Sequence, residues 1–111
     1  MQSLAALADP TRRRIVELLA RRDRTAGELV EEFEVSAPAI SQHLNVLREA
    51  GLIVTRAEGQ SRIQSLDPAG FDELGSWLEK TRAVWSRRLD ALERELLAED
   101  AAAKKSAKSS R

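Results

Sequence analysis

The segment SAPAISQHLNVLREAGLI, residues Ser36 to Ile53, carries a complete set of helix signals. Ser36 is a good N-cap, Pro38 is tolerated in the first turn, and Gly51 makes a C-terminal stop. Between them Ile40, Leu44 and Leu47 recur at helical spacing and mark one buried face. The positions left over hold Ser36, Ser41, Gln42, His43 and Asn45, short or planar polar groups that donate and accept at base edges or phosphates. Gln42 and Asn45 have the amide geometry that reads adenine, and Ser41 suits a phosphate or a base. Ser36 and Ala37 stand at the N-terminal end, where unpaired backbone N–H groups favour a phosphate.

Upstream, Thr25 precedes Glu28 by three residues, the capping-box spacing, and Leu29, Val30 and Phe33 give a helix ending near Glu34 one apolar stripe. A short turn joins it to Ser36. Two helices joined this tightly form a helix-turn-helix unit. Downstream, Leu52 to Thr55 is β-branched and reads as a strand, Glu58 to Ser61 as a turn, and Arg62 to Leu66 as an alternating partner strand. A hairpin directly after a helix pair is a wing, with Gly59 permitting the tight turn. Arg56, Gln60 and Arg62 then reach the flanking DNA backbone or minor groove.

Further upstream, Asp9-Pro10 opens a helix to about Arg22, with Ile15, Leu18 and Leu19 on one face, after which Asp23-Arg24 breaks it. Leu4, Leu7 and Ala8 indicate a short apolar helix before it. Beyond Pro68 and Gly70, which close the hairpin, Phe71, Leu74, Leu78, Trp85, Leu89, Leu92 and Leu96 form one sustained helical seam. One small domain cannot bury so long a seam alone, so Leu4, Leu7, Leu74, Leu78, Trp85, Leu89 and Leu92 are the expected dimerisation residues. From residue 99 the chain turns Ala-, Lys- and Ser-rich without periodicity and is expected to be a disordered tail on a domain of residues 1–98. The expected fold is mainly α: a winged helix-turn-helix with a two-stranded β-hairpin wing and a long C-terminal dimerisation helix.

Composition narrows the function classes. The 111 residues suit one domain and leave no room for a substrate domain beside a cofactor domain. Absence of cysteine excludes disulfides, thiolate nucleophiles and thiolate metal sites. No Ser-His-Asp set, Gly-rich phosphate loop or paired His ligands are present, so neither catalysis nor a cofactor is expected. The absence of transmembrane and signal segments points to a soluble, cytoplasmic protein without a membrane partner. Lys plus Arg equals Asp plus Glu at 18 each. Within residues 36–66, Arg48, Arg56 and Arg62 face Glu49 and Glu58, so the reading unit is scarcely basic. Binding is therefore expected to be moderate, dimer-dependent and salt-sensitive.

LADPTRRRIVELL (Leu7 to Leu19), SAPAISQHLNVLREAGLI and EGQSRIQSLD (Glu58 to Asp67) together resemble the ArsR/SmtB-type winged-helix transcriptional regulators. The segment WLEKTRAVWSRRLDALE (Trp77 to Glu93) resembles a metal-independent subgroup often encoded beside SRPBCC-type hydrophobic-ligand-binding proteins. The resemblance implies a homodimeric repressor on a pseudo-palindromic operator in double-stranded DNA, commonly autoregulatory. It implies DNA contact by Ser41, Gln42 and His43. Many relatives carry Lys where Asn45 stands, and an aromatic residue where Ile63 or Gln64 stands. Metal-sensing relatives use Cys on the helix matching Thr25 to Glu34, or His and Asp on the C-terminal helix, and neither set is present here.

Other readings of the same residues stay open at this level. His43, the single histidine, is read as a DNA contact, with a surface or helix-packing role as the alternative. Arg12, Arg13 and Arg14 are either a solvated face or phosphate ligands. Trp77 and Trp85 admit a small apolar effector site. A dimeric protein-interaction module that keeps the fold without specific DNA binding is the alternative function.

Overall fold

The computed structural model describes residues 2–109, with those from 104 onward as backbone alone. The elements are α1 (Gln2–Leu7), α2 (Pro10–Arg21), β1 (Arg24–Thr25), α3 (Ala26–Glu31), α4 (Ala37–Glu49), β2 (Ile53–Glu58), β3 (Ser61–Leu66) and α5 (Pro68–Ser109). Two compact units result, one ending at Gly75 and the other beginning at Ser76.

Capping chemistry sets most boundaries of the first unit. The Asp9 carboxylate accepts from the Arg12 backbone N–H at 2.9 Å, with Pro10 at the first helical position. Thr25 and Glu28 complete a reciprocal capping box, each side chain accepting from the other's backbone N–H at 3.1 Å. The Ser36 hydroxyl accepts from Ala39 N–H at 3.3 Å. At the far end of α4, Gly51 takes φ +76°, Leu52 N–H donates to Leu47 O and Gly51 N–H to Arg48 O, both at 3.0 Å. That is a Schellman stop, and the apolar pair that accompanies it, Leu47 and Leu52, is fully buried.

The Asp9 cap makes a stability prediction. Its carboxyl is held below the ordinary carboxylate value, chiefly by the Arg12 backbone N–H, which outweighs the opposing effect of burial, and to a lesser extent by the nearby His43 and Arg12 side chains. A group depressed in this way contributes stability that is full above its ordinary value and is lost as pH falls through the lowered folded value. Asp9→Ala is expected to cost about 1 kcal/mol at neutral pH. Urea denaturation of both proteins as a function of pH should show that difference shrinking only in strong acid.

The sheet differs from the expected two-stranded hairpin. It has three antiparallel strands in the order β1-β3-β2, with Arg24 opposite Gln64 and Thr25 opposite Ile63. Residues read as a mere break after α2 thus cover the free edge of β3, whose N–H and C=O groups otherwise lack strand partners. Thr25 is extended (φ −77°, ψ 161°), so one backbone conformation serves both the strand and the N-cap of α3. At the wing tip Gly59 has φ +62° and Gln60 does not have positive φ, the sign pattern of a II′ hairpin turn.

Ile15, Leu18, Leu19, Leu29, Ile40, Leu44, Leu47, Leu52 and Ile53 form the core with Ala6. They come from α1 to β2, so the helix-turn-helix and the wing root share one interior. Two residues expected at a dimer seam lie inward here: Leu74 is buried, and Leu7 packs against the core.

The second unit is the continuation of α5. The helix passes residue 98, where the domain was expected to end, and runs through Glu99, Ala101 to Ala103 and Lys104 to Ser109. Ala, Glu and Lys are strong helix formers and no Gly or Pro interrupts them, which composition read as a tail does not weigh. Ser110 and Arg111 of the expected tail lie outside the described residues. Leu78, Trp85, Leu89, Leu92 and Leu96 are all exposed, at 49–60 % of their surface. At 3.6 residues per turn they fall within about 60° of arc. Arg88 lies over the Trp85 ring, 5.7 Å from its centroid.

Candidate nucleic-acid interface

Once Ile40, Leu44 and Leu47 are buried, the rest of α4 divides into two flanks and an outer ridge. Ser41, Asn45 and Arg48 (i, i+4, i+7) share the flank toward the wing. Gln42 stands on the ridge, fully outside the core. His43 stands on the opposite flank. Ser36, Ala37, Ser41, Gln42, Asn45, Arg56, Gln60 and Arg62 are exposed, whereas His43 is half-buried.

His43 faces the start of α2. Its Nδ1 lies 3.4 Å from Arg12 Nη1 and 4.0 Å from Asp9 Oδ2. Arg12 in turn donates from Nε to Ala6 O at 2.6 Å and from Nη2 to Ala5 O at 3.4 Å, satisfying carbonyls at the end of α1. His43 and Arg12 therefore tie α1, α2 and α4 together, the packing alternative for His43. Of the basic run, Arg12 is committed to this joint, Arg14 pairs with Glu17 at 3.4 Å, and Arg13 is exposed.

The period of the wing separates its two arginines. Val54, Arg56 and Glu58 point to one face of β2, and Thr55 and Ala57 to the other. The register sets Thr55 opposite Gln64 and Ala57 opposite Arg62, so those four side chains share the face toward α4. Arg56 lies on the reverse face, where it donates to Asp23 Oδ2 at 2.9 Å and to Ser65 Oγ at 2.8 Å, with Glu58 at 3.6 Å. The Arg56 guanidinium and then the Ser65 hydroxyl hold the Asp23 carboxyl below its ordinary value. Arg62 has no hydrogen-bond or ion-pair partner among the described residues, and lines the crevice between α4 and the wing with Arg48, Thr55 and Ala57.

Inside that crevice lies a polar network that the sequence reading missed. Arg48 donates from Nε to Thr55 Oγ1 at 3.1 Å, from Nη1 to Asn45 Oδ1 at 2.7 Å and from Nη2 to Gln64 Oε1 at 3.4 Å. Thr55 Oγ1 donates to Gln64 Oε1 at 2.6 Å, and Gln64 is buried. Two cues were available: Asn45 and Arg48 at helical i, i+3, and Thr55 and Gln64 at equal distances either side of the Gly59-Gln60 turn.

The arrangement explains how a chain of zero net charge presents a cationic surface beside α4. Arg14, Arg22, Arg24 and Arg56 each pair with an acid, namely Glu17, Glu28, Glu32 and Asp23. Arg48 has only neutral partners and Arg62 none among the described residues. Glu58 lies near Arg56, and Glu49 faces a separate hollow with Val46, Ala50 and Arg12. Among the described residues, no helix is long and apolar enough to cross a membrane, and no three His, Asp or Glu side chains group as metal ligands would.

Comparison with known proteins agrees with this geometry. The family described as bacterial regulatory protein, arsR family, matches residues 9–55, from the cap of α2 into β2. HTH-type transcriptional regulator Rv2034 of Mycobacterium tuberculosis is 46 % identical over 84 residues, covering 76 % of each chain. Transcriptional repressor SdpR of Bacillus subtilis is 41 % identical over 73 residues, covering 66 % of this chain and 81 % of that one. The structure of an ArsR-like transcriptional regulator from Rhodococcus sp. RHA1 superposes with a TM-score of 0.72 at 34 % identity, covering 84 % of this chain and 88 % of that one. These relatives are regulators rather than enzymes, and with its winged helix-turn-helix and exposed polar α4 face this protein belongs to the ArsR family of DNA-binding transcriptional regulators.

Proposed function

We propose that the protein is a homodimeric repressor that reads a pseudo-palindromic operator with one α4 per half-site, without a metal. The observation that carries this reading is the cationic crevice beside α4, where Arg48 and Arg62 stand next to Ser41 and Asn45 without an acidic partner among the described residues. Ser41 and Gln42 read base edges or phosphates, Asn45 is shared with Arg48, and Arg62 and Gln60 reach the backbone beside the groove. Ser36 and Ala37 supply the first-turn N–H groups of α4. His43 supports the interface from behind, whereas Arg56 is turned away from it toward Asp23 and Ser65. Repression follows from occlusion of the promoter, and the protein's own promoter is the first operator to examine.

The exposed leucine and tryptophan stripe of α5 supports dimerisation, with Leu78, Trp85, Leu89 and Leu92 at its centre, and Leu4 on α1 is a further exposed apolar residue. Metal independence is supported by the ligand inventory. The chain has no cysteine, and its one histidine is engaged with Arg12 and Asp9. Soft thiolate sensing is chemically closed to such a chain.

Replacing Ser41 and Gln42 together with Ala tests the assignment. Each lost base contact is worth about 1–3 kcal/mol of discrimination, so specific affinity should fall at least about thirtyfold while nonspecific binding changes little. Fluorescence anisotropy on operator and scrambled duplexes reads both. Equal affinity of variant and wild type for the operator would overturn the placement of the reading face.

A further inference from the structure

We propose that Arg48 and Arg62 together form a binding site for backbone phosphate of duplex DNA, and that the buried Gln64 and Thr55 hold Arg48 in the orientation this requires. The inference rests on the DNA-binding reading above and adds a specific residue and its support.

The donor inventory of Arg48 is the starting point. A guanidinium has five N–H donors. Nε is used by Thr55, and one N–H on each terminal nitrogen is used by Asn45 and Gln64. One N–H on each terminal nitrogen therefore has no partner among the described residues. All three acceptors are neutral, so the full positive charge stays available. A guanidinium that is aligned by neutral acceptors and still has donors to offer suits a phosphate, whose oxygens accept in pairs.

The second guanidinium lies across the same crevice. Arg62 lines it together with Arg48, Thr55 and Ala57 on one side, and with Ser41, Asn45, Arg48 and Gln64 on the other. The larger hollow measures about 480 Å³, ample for a phosphodiester group. The smaller hollow, which shares Arg48 and Arg62 with it, reaches Ser41 on the wing-side flank of α4, so a phosphate held by the two arginines adjoins the groove that Ser41 and Gln42 read. Gln64 fixes Thr55, which in turn holds Arg48 Nε. It is buried and stands in β3, and its Oε1 accepts from both Thr55 and Arg48. Helix α4 and the wing are thereby joined through Thr55 Oγ1 and Gln64 Oε1.

Phosphate contact and positioning have separable signatures. Each lost phosphate contact lowers the slope of log K against log salt by about 1, and weakens binding uniformly across sequences. The experiment measures operator and scrambled-duplex affinity between low and moderate NaCl for wild type, Arg48→Gln, Arg48→Lys, Gln64→Leu, Arg62→Gln and Arg56→Gln, with thermal midpoints as the check on folding. Arg48→Gln and Arg62→Gln should each lose about tenfold in affinity on both duplexes and reduce the slope by about 1. Arg48→Lys and Gln64→Leu should keep the wild-type slope and lose affinity, because the charge remains while its alignment is gone. Arg56→Gln, on the reverse face, should match wild type. A wild-type slope for Arg48→Gln would overturn the proposal while leaving the repressor reading intact. Absence of any wild-type DNA binding at low salt would overturn both.

Discussion

Leu89→Asp with Leu92→Asp is expected to convert the protein to a monomer in sedimentation equilibrium and to abolish measurable operator binding. Both leucines are at least half exposed on α5, in the same narrow stripe as Leu78, Trp85 and Leu96. Large apolar residues repeated along one face of a long helix need a partner, and the narrow stripe has the form of a coiled-coil seam rather than the broad face of a helix packed on a globular core. A carboxylate at the centre of such a seam is desolvated on pairing and faces its own symmetry mate, so the dimer is disfavoured twice. Loss of the second half-site removes an effective-concentration gain of about 10²–10⁴. The core residues all lie before Gly75, so the monomer should keep its circular dichroism and cooperative melting. A variant that stays dimeric with unchanged operator affinity would refute this seam.

Gly70→Ala is expected to destabilise the protein by about 3 kcal/mol and to lower its melting temperature by roughly 15 °C. A Cβ built on Gly70 would stand 1.9 Å from Gly51 O and 2.8 Å from Gly51 C. The obstacle is backbone, and this backbone is the Schellman stop of α4. Gly51 holds φ +76°, and Leu52 is fixed both by its N–H to Leu47 O at 3.0 Å and by its own carbonyl, which accepts from Asp67 N–H at 2.8 Å. Moving it would disturb the root of the wing and the end of α4 together. Gly75→Ala is the control: nothing lies within 4 Å of its Cβ, so it should stabilise α5 by about 0.5–1 kcal/mol. Equal, small effects at both positions would show that the close approach of α5 to Gly51 is not real.

Local chemistry was legible in the sequence, and tertiary neighbours were not. Asp9, Thr25 and Ser36 announce three helix starts because a cap is a contact within four residues. Gly51 announces a stop for the same reason. The buried face of α4 also follows from spacing alone. What spacing leaves undecided is which of the remaining flanks meets another element. Ser41 and His43 look equivalent along the chain, yet one borders the wing and the other meets Arg12.

The wing shows the same limit in a strand. Arg56 and Arg62 both sit near the tip and both are basic. With the turn at Gly59 and Gln60, pairing parity sends Arg62 to the face of Thr55 and Arg56 to the reverse, beside Asp23. Gly70 was read as punctuation after the hairpin, although it stands in the first turn of α5 and is needed for a close approach. Leu7 and Leu74 belong to an apolar stripe that periodicity reads correctly, but periodicity does not say where the protomer's own interior ends and an exposed seam begins.

Selection from random-sequence duplexes by the full-length wild-type protein, run with a chelator and again with divalent metal, tests the central claim most directly. An enriched inverted repeat with half-site centres about one helical turn apart, bound by two chains and recovered in both conditions, is the expected outcome. No enrichment over the starting pool at low salt would contradict it and favour a protein-interaction module built on the same fold.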